Sequence, residues 1–147
     1  MSPLQEPEFR PADSEQDVIA CFPLMHQLRP HLADADELVE RWRLQRQAGY
    51  RILALWRGDR PVALAGYRVT DNLIHGHFLY VDDLVTDEAE RGTGLGARML
   101  ERMRQEAKAQ GCRRLMLDTA IDNLLAHRFY FRCGLLAGGL HFGMAVK

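Results

Sequence analysis

Apolar residues change their spacing several times along this chain, and each change marks an element. Phe9-Arg10-Pro11 ends a short first strand. Asp13 or Ser14 then caps a helix through about Gln27, with Val18, Phe22 and Met25 on one face. Asp34-Ala35-Asp36-Glu37 opens a second helix carrying Leu38, Trp42 and Leu44, and Gly49 ends it. Strand spacing follows at residues 51–56 and 62–69, either side of a hairpin turn at Arg57-Gly58-Asp59-Arg60-Pro61. A second turn at Thr70-Asp71-Asn72 leads into a long strand over residues 75–85. Helical spacing returns with Leu95, Met99, Leu100, Met103 and Ala107 on one face, while Glu101, Arg104, Gln105 and Lys108 fall off it. Gly111 stops that helix. Residues 114–118 are a fifth strand, 123–133 a fourth helix, and 135–137 and 140–146, parted by Gly138-Gly139, two closing strands. This order predicts a single α/β (α+β) domain over residues 1–147, with about seven strands and four helices.

Composition narrows the class rather than the function. The 147 residues, 47% hydrophobic and 27% charged, suit one ordinary globular domain. A formal net charge of −1 gives nucleic acid or an anionic membrane no electrostatic hold, so neither is an expected partner. Cys21, Cys112 and Cys133 are odd in number and form no C-x-x-C pair, which points away from a disulfide framework or a zinc site. Residues 1–9 lack the positive stretch and apolar run of a signal peptide. No apolar run approaches the roughly 20 residues of a membrane helix, so a reducing cytoplasm is the expected address.

The richest stretch is Val85-Thr86-Asp87-Glu88-Ala89-Glu90-Arg91-Gly92-Thr93-Gly94-Leu95-Gly96. Here a strand passes through a charged loop and three alternating glycines into a helix. Glycines let the backbone turn tightly and come close to a ligand. The first helical amides lack intrahelical partners, and with the helix dipole they suit a pyrophosphate. A phosphate-bearing cofactor held at residues 91–96 follows from this. A P-loop would need Lys-Ser/Thr where the chain has Ala97-Arg98. The dinucleotide pattern G-x-G-x-x-A is met by Gly92-Thr93-Gly94-Leu95-Gly96-Ala97, with Asp118 placed for a ribose. However, mostly charged residues part the strand from the first glycine, and residues 97–147 are too few to finish a doubly wound sheet. A plain helix cap accounts for one glycine, not for three behind an arginine.

Arg91-Gly92-Thr93-Gly94-Leu95-Gly96 resembles the Q/R-x-x-G-x-G/A signature of the GCN5-related N-acetyltransferase (GNAT) family. A second segment, Asn123-Leu124-Leu125-Ala126-His127-Arg128-Phe129-Tyr130 closing with Gly134-Leu135, resembles that family's N-x-x-A-x-x-F-Y-x-x-x-G-F/L helix. The resemblance runs from about Leu79 to Leu135, and the N-terminal third shares only the pattern of elements. It implies a GNAT fold, whose mixed central sheet splays between its fourth and fifth strands to admit a pantetheine arm. It further implies an acyltransferase with acetyl-CoA as cosubstrate and no metal. Because family members are often dimers, a homodimer is a further expectation. Carried over by position, Arg91, Gly92, Thr93, Gly94, Leu95, Gly96 and Ala97 would hold the pyrophosphate. Leu84, Val85 and Thr86 would offer backbone groups to the pantetheine, and Asn123, Ala126 and Tyr130 would contact the same cosubstrate. Thr86 stands where the family often has a hydrophobic residue.

Acetyl transfer to an amine needs the amine neutral, yet an alkylamine resembles lysine, with a pKa of about 10. A carboxylate can remove that proton directly or through a water. The developing oxyanion needs a donor, and the departing thiolate needs a proton. Tyr130 matches the family's general acid, although Leu125, Ala126 and Phe129 share its helix face and would suit a core tyrosine equally. Asp82 and Asp83 stand late on the long strand, where alternation lets only one face a cleft unless a bulge intervenes. The run Leu79-Tyr80-Val81-Asp82-Asp83-Leu84 resembles the diamine (polyamine) acetyltransferase branch. There an acid nine positions before the loop arginine is the base, which is Asp82 here, one methylene shorter than the branch's glutamate. Asp82 and Asp83 could instead recognise a cationic amine, or be solvated strand-end groups. Asn123 could serve only as a helix cap.

His75 and His77 would share one face of a strand, but no further ligands stand near them in sequence for a metal site. The resemblance and these residues lead to direct acetyl transfer, in a ternary complex, from acetyl-CoA to a primary amine. Asp82, Asp83 and the acidic helix start at Asp34, Asp36 and Glu37 favour a small cationic amine such as a polyamine or amino acid derivative. Peptide or protein amines and aminoglycosides stay open. A noncatalytic acyl-CoA-binding sensor on the same fold is the competing class, and the presence of Tyr130 with a plausible base favours the enzyme.

Overall fold

Local sequence explains where the first helices begin. The Ser14 hydroxyl accepts the Asp17 amide at 3.2 Å and starts α1 (Glu15–Leu28). The Asp34 carboxylate accepts the Glu37 amide at 2.9 Å and starts α2 (Ala35–Arg46). The computed structural model describes residues 5–147. Residues 1–4, part of the stretch read for a leader, lie outside it. Five strands form one sheet in the order β1 (Glu8–Pro11), β2 (Arg51–Arg57), β3 (Arg60–Asn72), β4 (Gly76–Thr86) and β5 (Arg114–Leu117). The pairs from β1 to β4 are antiparallel. A 3₁₀ turn (Glu88–Glu90) leads to α3 (Leu95–Ala109), and α4 (Leu124–Arg132) follows β5. Among the described residues no helix is long and apolar enough to cross a membrane.

The chain divides into two compact units, one through Met116 and one from Leu117 to Lys147. In the first unit the sheet is covered on both faces. Ile52, Ala54, Trp56, Leu64 and Val85 pack with Val18, Cys21, Leu38 and Trp42 of α1 and α2. The alternate residues Leu53, Leu55, Ala63 and Ala65 are equally buried on the other face. There α3 lies against β3 and β4 with Met99 and Met103 fully buried. Each such side chain contributes about 1.5–3 kcal/mol through burial.

Two sequence expectations need correction. The second hairpin turn lies at residues 73–75, not at Thr70-Asp71-Asn72. The Asn72 side-chain oxygen accepts the amides of Ile74 (3.1 Å) and His75 (2.7 Å), and Gly76 adopts φ 69°. These residues make the later turn the cheaper one, even though it leaves Leu73 and Ile74 exposed. The second correction concerns strand number, five rather than about seven. In the second unit, residues 135–147 form no ladder. Leu136, Leu140, Phe142, Met144 and Val146 are exposed, and β-rich composition makes a strand only where a neighbour takes its amides and carbonyls.

Candidate active site

The approach to α3 is built from backbone. Gly92 and Gly94 both adopt φ 83°, and nothing lies within 4 Å of where a Cβ would stand on either. Glycine therefore supplies conformation there, not relief from crowding. Gly94 is the N-cap of α3 and offers no side-chain acceptor, and the first turn of α3 holds no acid. In contrast, α1, α2 and α4 are each capped by a side chain, Ser14, Asp34 and Asn123. The positive end of α3 is thus left uncompensated.

The loop ahead of α3 is pinned from several sides. Arg57 donates to both Glu90 oxygens, at 3.0 and 3.1 Å, and holds that carboxyl below its ordinary range. Arg60 pairs with Asp87 at 3.0 Å, and the Gln27 side-chain oxygen accepts the Glu88 amide at 3.1 Å. The Thr93 hydroxyl donates to the Glu90 carbonyl at 2.5 Å. Arg91 itself is exposed.

Pairing between β3 and β4 runs regularly from Asn72↔Gly76 to Tyr67↔Val81, then resumes at Gly66↔Asp83. Asp82 is the extra residue of a β-bulge. The bulge resets alternation, so Asp82 and Asp83 both stand on the face covered by α1 and α2. Asp82 lies diagonal to Arg68, which donates to its two oxygens at 2.8 Å each and sits over the Tyr80 ring at 5.3 Å. Asp83 accepts the Tyr50 hydroxyl at 2.6 Å and Arg29 Nε at 3.0 Å. Arg29, the C-cap of α1, also donates to the Asp82 carbonyl at 2.9 Å. Burial, followed by the Asp83 charge and hydrogen bond, pushes the Tyr50 phenol well above its ordinary value. A Cβ on Gly66 would stand 1.9 Å from Tyr50 Oη and 2.7 Å from Asp83 Oδ2, so only glycine fits opposite Asp83.

Beyond the bulge, Leu84, Val85 and Thr86 carry β4 toward the loop. Arg113 donates its amide to the His77 carbonyl at 2.9 Å where β5 begins, and the four residues of β5 can accompany only part of the eleven-residue β4.

The second unit holds the other expected residues. Asn123 accepts the Ala126 amide at 3.2 Å and so caps α4. Tyr130 is half-buried, its ring centroid 5.4 Å from that of Phe129. Burial, with Cys133 adding to it, raises the phenol above its ordinary value, and Tyr130 keeps its proton at neutral pH.

Arg29, Tyr50, Gly66 and Arg68 were missed in the sequence because no local motif contains them. The bulge register brings them to the acids, and the misplaced turn concealed it. His75 falls in the hairpin turn with its ring 5.3 Å from Phe78, and His77 Nδ1 lies 3.0 Å from Asp71. Among the described residues no three His, Cys, Asp or Glu side chains gather as a ligand set. A cleft of about 390 Å³ bordered by Pro11, Arg51, Tyr67 and Glu106 is lined by neither the acids nor the glycine loop.

A model of the Acetyltransferase (GNAT) family matches residues 13–135, a span that includes the acids, the glycine loop and Tyr130. The chain is 30% identical over 69 residues to glucosamine 6-phosphate N-acetyltransferase 1 of Oryza sativa subsp. japonica, covering 47% of this chain and 40% of that one. It therefore spans less than half the length of the rice relative. With the N-acetyltransferase YhdJ of Bacillus subtilis (strain 168), identity is 28% over 119 residues, 80% of this chain and 82% of the other. The crystal structure of a Trypanosoma brucei acetyltransferase matches with a TM-score of 0.78 at 22% identity, over 96% of this chain and 100% of that one. Family match and fold agree, and this chain belongs to the GNAT acetyltransferase family.

Proposed function

We propose that this protein is an acetyl-CoA-dependent N-acetyltransferase that transfers the acetyl group directly, in a ternary complex, to a small primary amine that arrives as a cation. The observation that carries this is the start of α3. Its amides have no side-chain cap and the first turn holds no acid, and two left-handed glycines bring the backbone to that point. A diphosphate could accept those amides without displacing any side chain. The residues holding it would be Arg91, Gly92, Thr93, Gly94, Leu95, Gly96 and Ala97. The backbone of Leu84, Val85 and Thr86 would bind the pantetheine arm, with Asn123 and Ala126 also contributing. The bound thioester supplies an activated acetyl group. Asp82 would take the proton of the incoming amine, and Tyr130, protonated at neutral pH, would supply one to the departing sulfur. Holding the two reactants together adds the advantage of proximity.

One observation favours a second class. Both Asp82 oxygens already accept hydrogen bonds from Arg68, which suits a chain that binds acyl-CoA without turnover. A thiol-release assay with acetyl-CoA and a panel of amines, run beside calorimetric titration of acetyl-CoA, separates the two. For the enzyme, turnover appears with one amine class, and Tyr130→Phe or Asp82→Asn lowers kcat by about 10²–10⁴-fold with cosubstrate affinity retained. Binding with no turnover supports the sensor. Absence of binding removes both.

A further inference from the structure

Two carboxylates and two guanidiniums meet at the β4 bulge, and they are layered. Asp83 and Asp82 expose 14% and 23% of their side chains, against 41% for Arg29 and 40% for Arg68. The four formal charges cancel, but the acids lie beneath the cations. A ligand approaching this face therefore meets guanidinium first.

Both arginines engage through Nε and Nη2, but not alike. Arg29 divides them between the Asp83 carboxylate and the Asp82 carbonyl, tying two parts of the bulge together. Arg68 uses Nε and Nη2 for Asp82, but a guanidinium has five N–H donors fixed in one plane, so Asp82 takes two and aims the rest. The Tyr80 ring holds its other side. Arg68 is a pre-oriented, half-exposed cation, so little ordering cost remains when an anion arrives. Its planar fork also matches a carboxylate or phosphate edge.

We propose that Arg68 binds an anionic group of the acceptor, and that the amine acetylated here carries a carboxylate or a phosphate. The proposal rests on the acetyltransferase function above and changes only its acceptor, from a small cation to an amine that also bears an anion, because the acceptor is the molecule that must come up to Asp82. A zwitterion fits this layering, its anion on Arg68 and its amino group toward Asp82. A diamine meets like charge on the outer layer, because Asp82 and Asp83, two of the acids that favoured a polyamine in the sequence, are already paired with arginines in the fold.

The test uses protein saturated with CoA, so that phosphate cannot report on the glycine loop. Calorimetry then compares glucosamine 6-phosphate with glucosamine, an amino acid with its amide, and a diamine. The expected result is about tenfold tighter binding of the anionic member in one pair, worth about 1.4 kcal/mol. The pair that responds tells phosphate from carboxylate, and this comparison needs no variant. Arg68→Gln should abolish the preference with CoA affinity unchanged, and Arg68→Lys should restore part of it. Equal binding within both pairs, tightest binding of the diamine, a preference that survives Arg68→Gln, or no amine binding at all overturns the proposal. If CoA itself does not bind, the acetyltransferase function fails first and this inference falls with it.

Discussion

Gly66 owes its identity to two residues far away in sequence. Tyr50 Oη and Asp83 Oδ2 occupy the space its Cβ would need. Gly66→Ala must push the tyrosine off the carboxylate, and is expected to cost about 1–3 kcal/mol. Urea unfolding of the variant checks this, and an unchanged midpoint would contradict the packing described. The cysteines offer a second residue-level check. Cys21 is fully buried and its thiol is pushed up to about 12, chiefly by burial, whereas Cys112 and Cys133 are half-buried. Two thiols should react with an aromatic disulfide in the native protein and the third only after unfolding. Three fast thiols would show that the α1 core opens. At this scale the sequence disclosed residues that lie together along the chain. Arg91 to Gly96 and Asn123 to Tyr130 were readable because their spacing is itself the signal. Arg29, Tyr50 and Arg68 carry no such spacing and meet the acids only through tertiary pairing.

Among the elements, the hairpin of β3 and β4 was the hardest to read. Ending β3 at Val69 and starting β4 at His75 would set Asp82 opposite Val62. The observed turn places Asp82 between the partners of Tyr67 and Gly66 instead. A turn misplaced by a few residues keeps both strands yet loses the site, since register follows the turn. The closing strands failed for a different reason, because a β-rich segment does not carry its own partner. The loop before α3 gives a pH test. Arg57 lowers the Glu90 carboxyl from its ordinary value of about 4.3. The folded state therefore holds the proton less well than the unfolded chain. The pair's stability is full above that ordinary value and fades as pH falls through the lower folded one. The difference in urea midpoint between the protein and Glu90→Gln should be clear at about pH 7 and shrink by about pH 3. A gap that widens on acidification would reverse this sign.

For the molecule as a whole, the helix order and the two hairpins, β2 with β3 and β3 with β4, could be foreseen in kind, because covered sheets and amphipathic helices leave periodic traces. Ligand linkage is the test at this scale. Acetyl-CoA at about 100 times its dissociation constant should stabilise by about 2.7 kcal/mol, raising Tm by roughly 5–10 °C. Gly94→Val, which forces a β-branched residue into the left-handed region, should remove most of that rise. An equal rise in the variant would mean that the coenzyme binds elsewhere. The bulge has a final consequence, one of phase. Upstream of Asp82, even-numbered residues of β4 face α1 and α2; downstream, odd-numbered ones do, as Tyr80 and Val85 illustrate. One strand thus runs in two phases, the hairpin half keyed to Arg68 and the loop half keyed to Leu64. Deleting Asp82 would bring the halves into step only by turning one of them inside out.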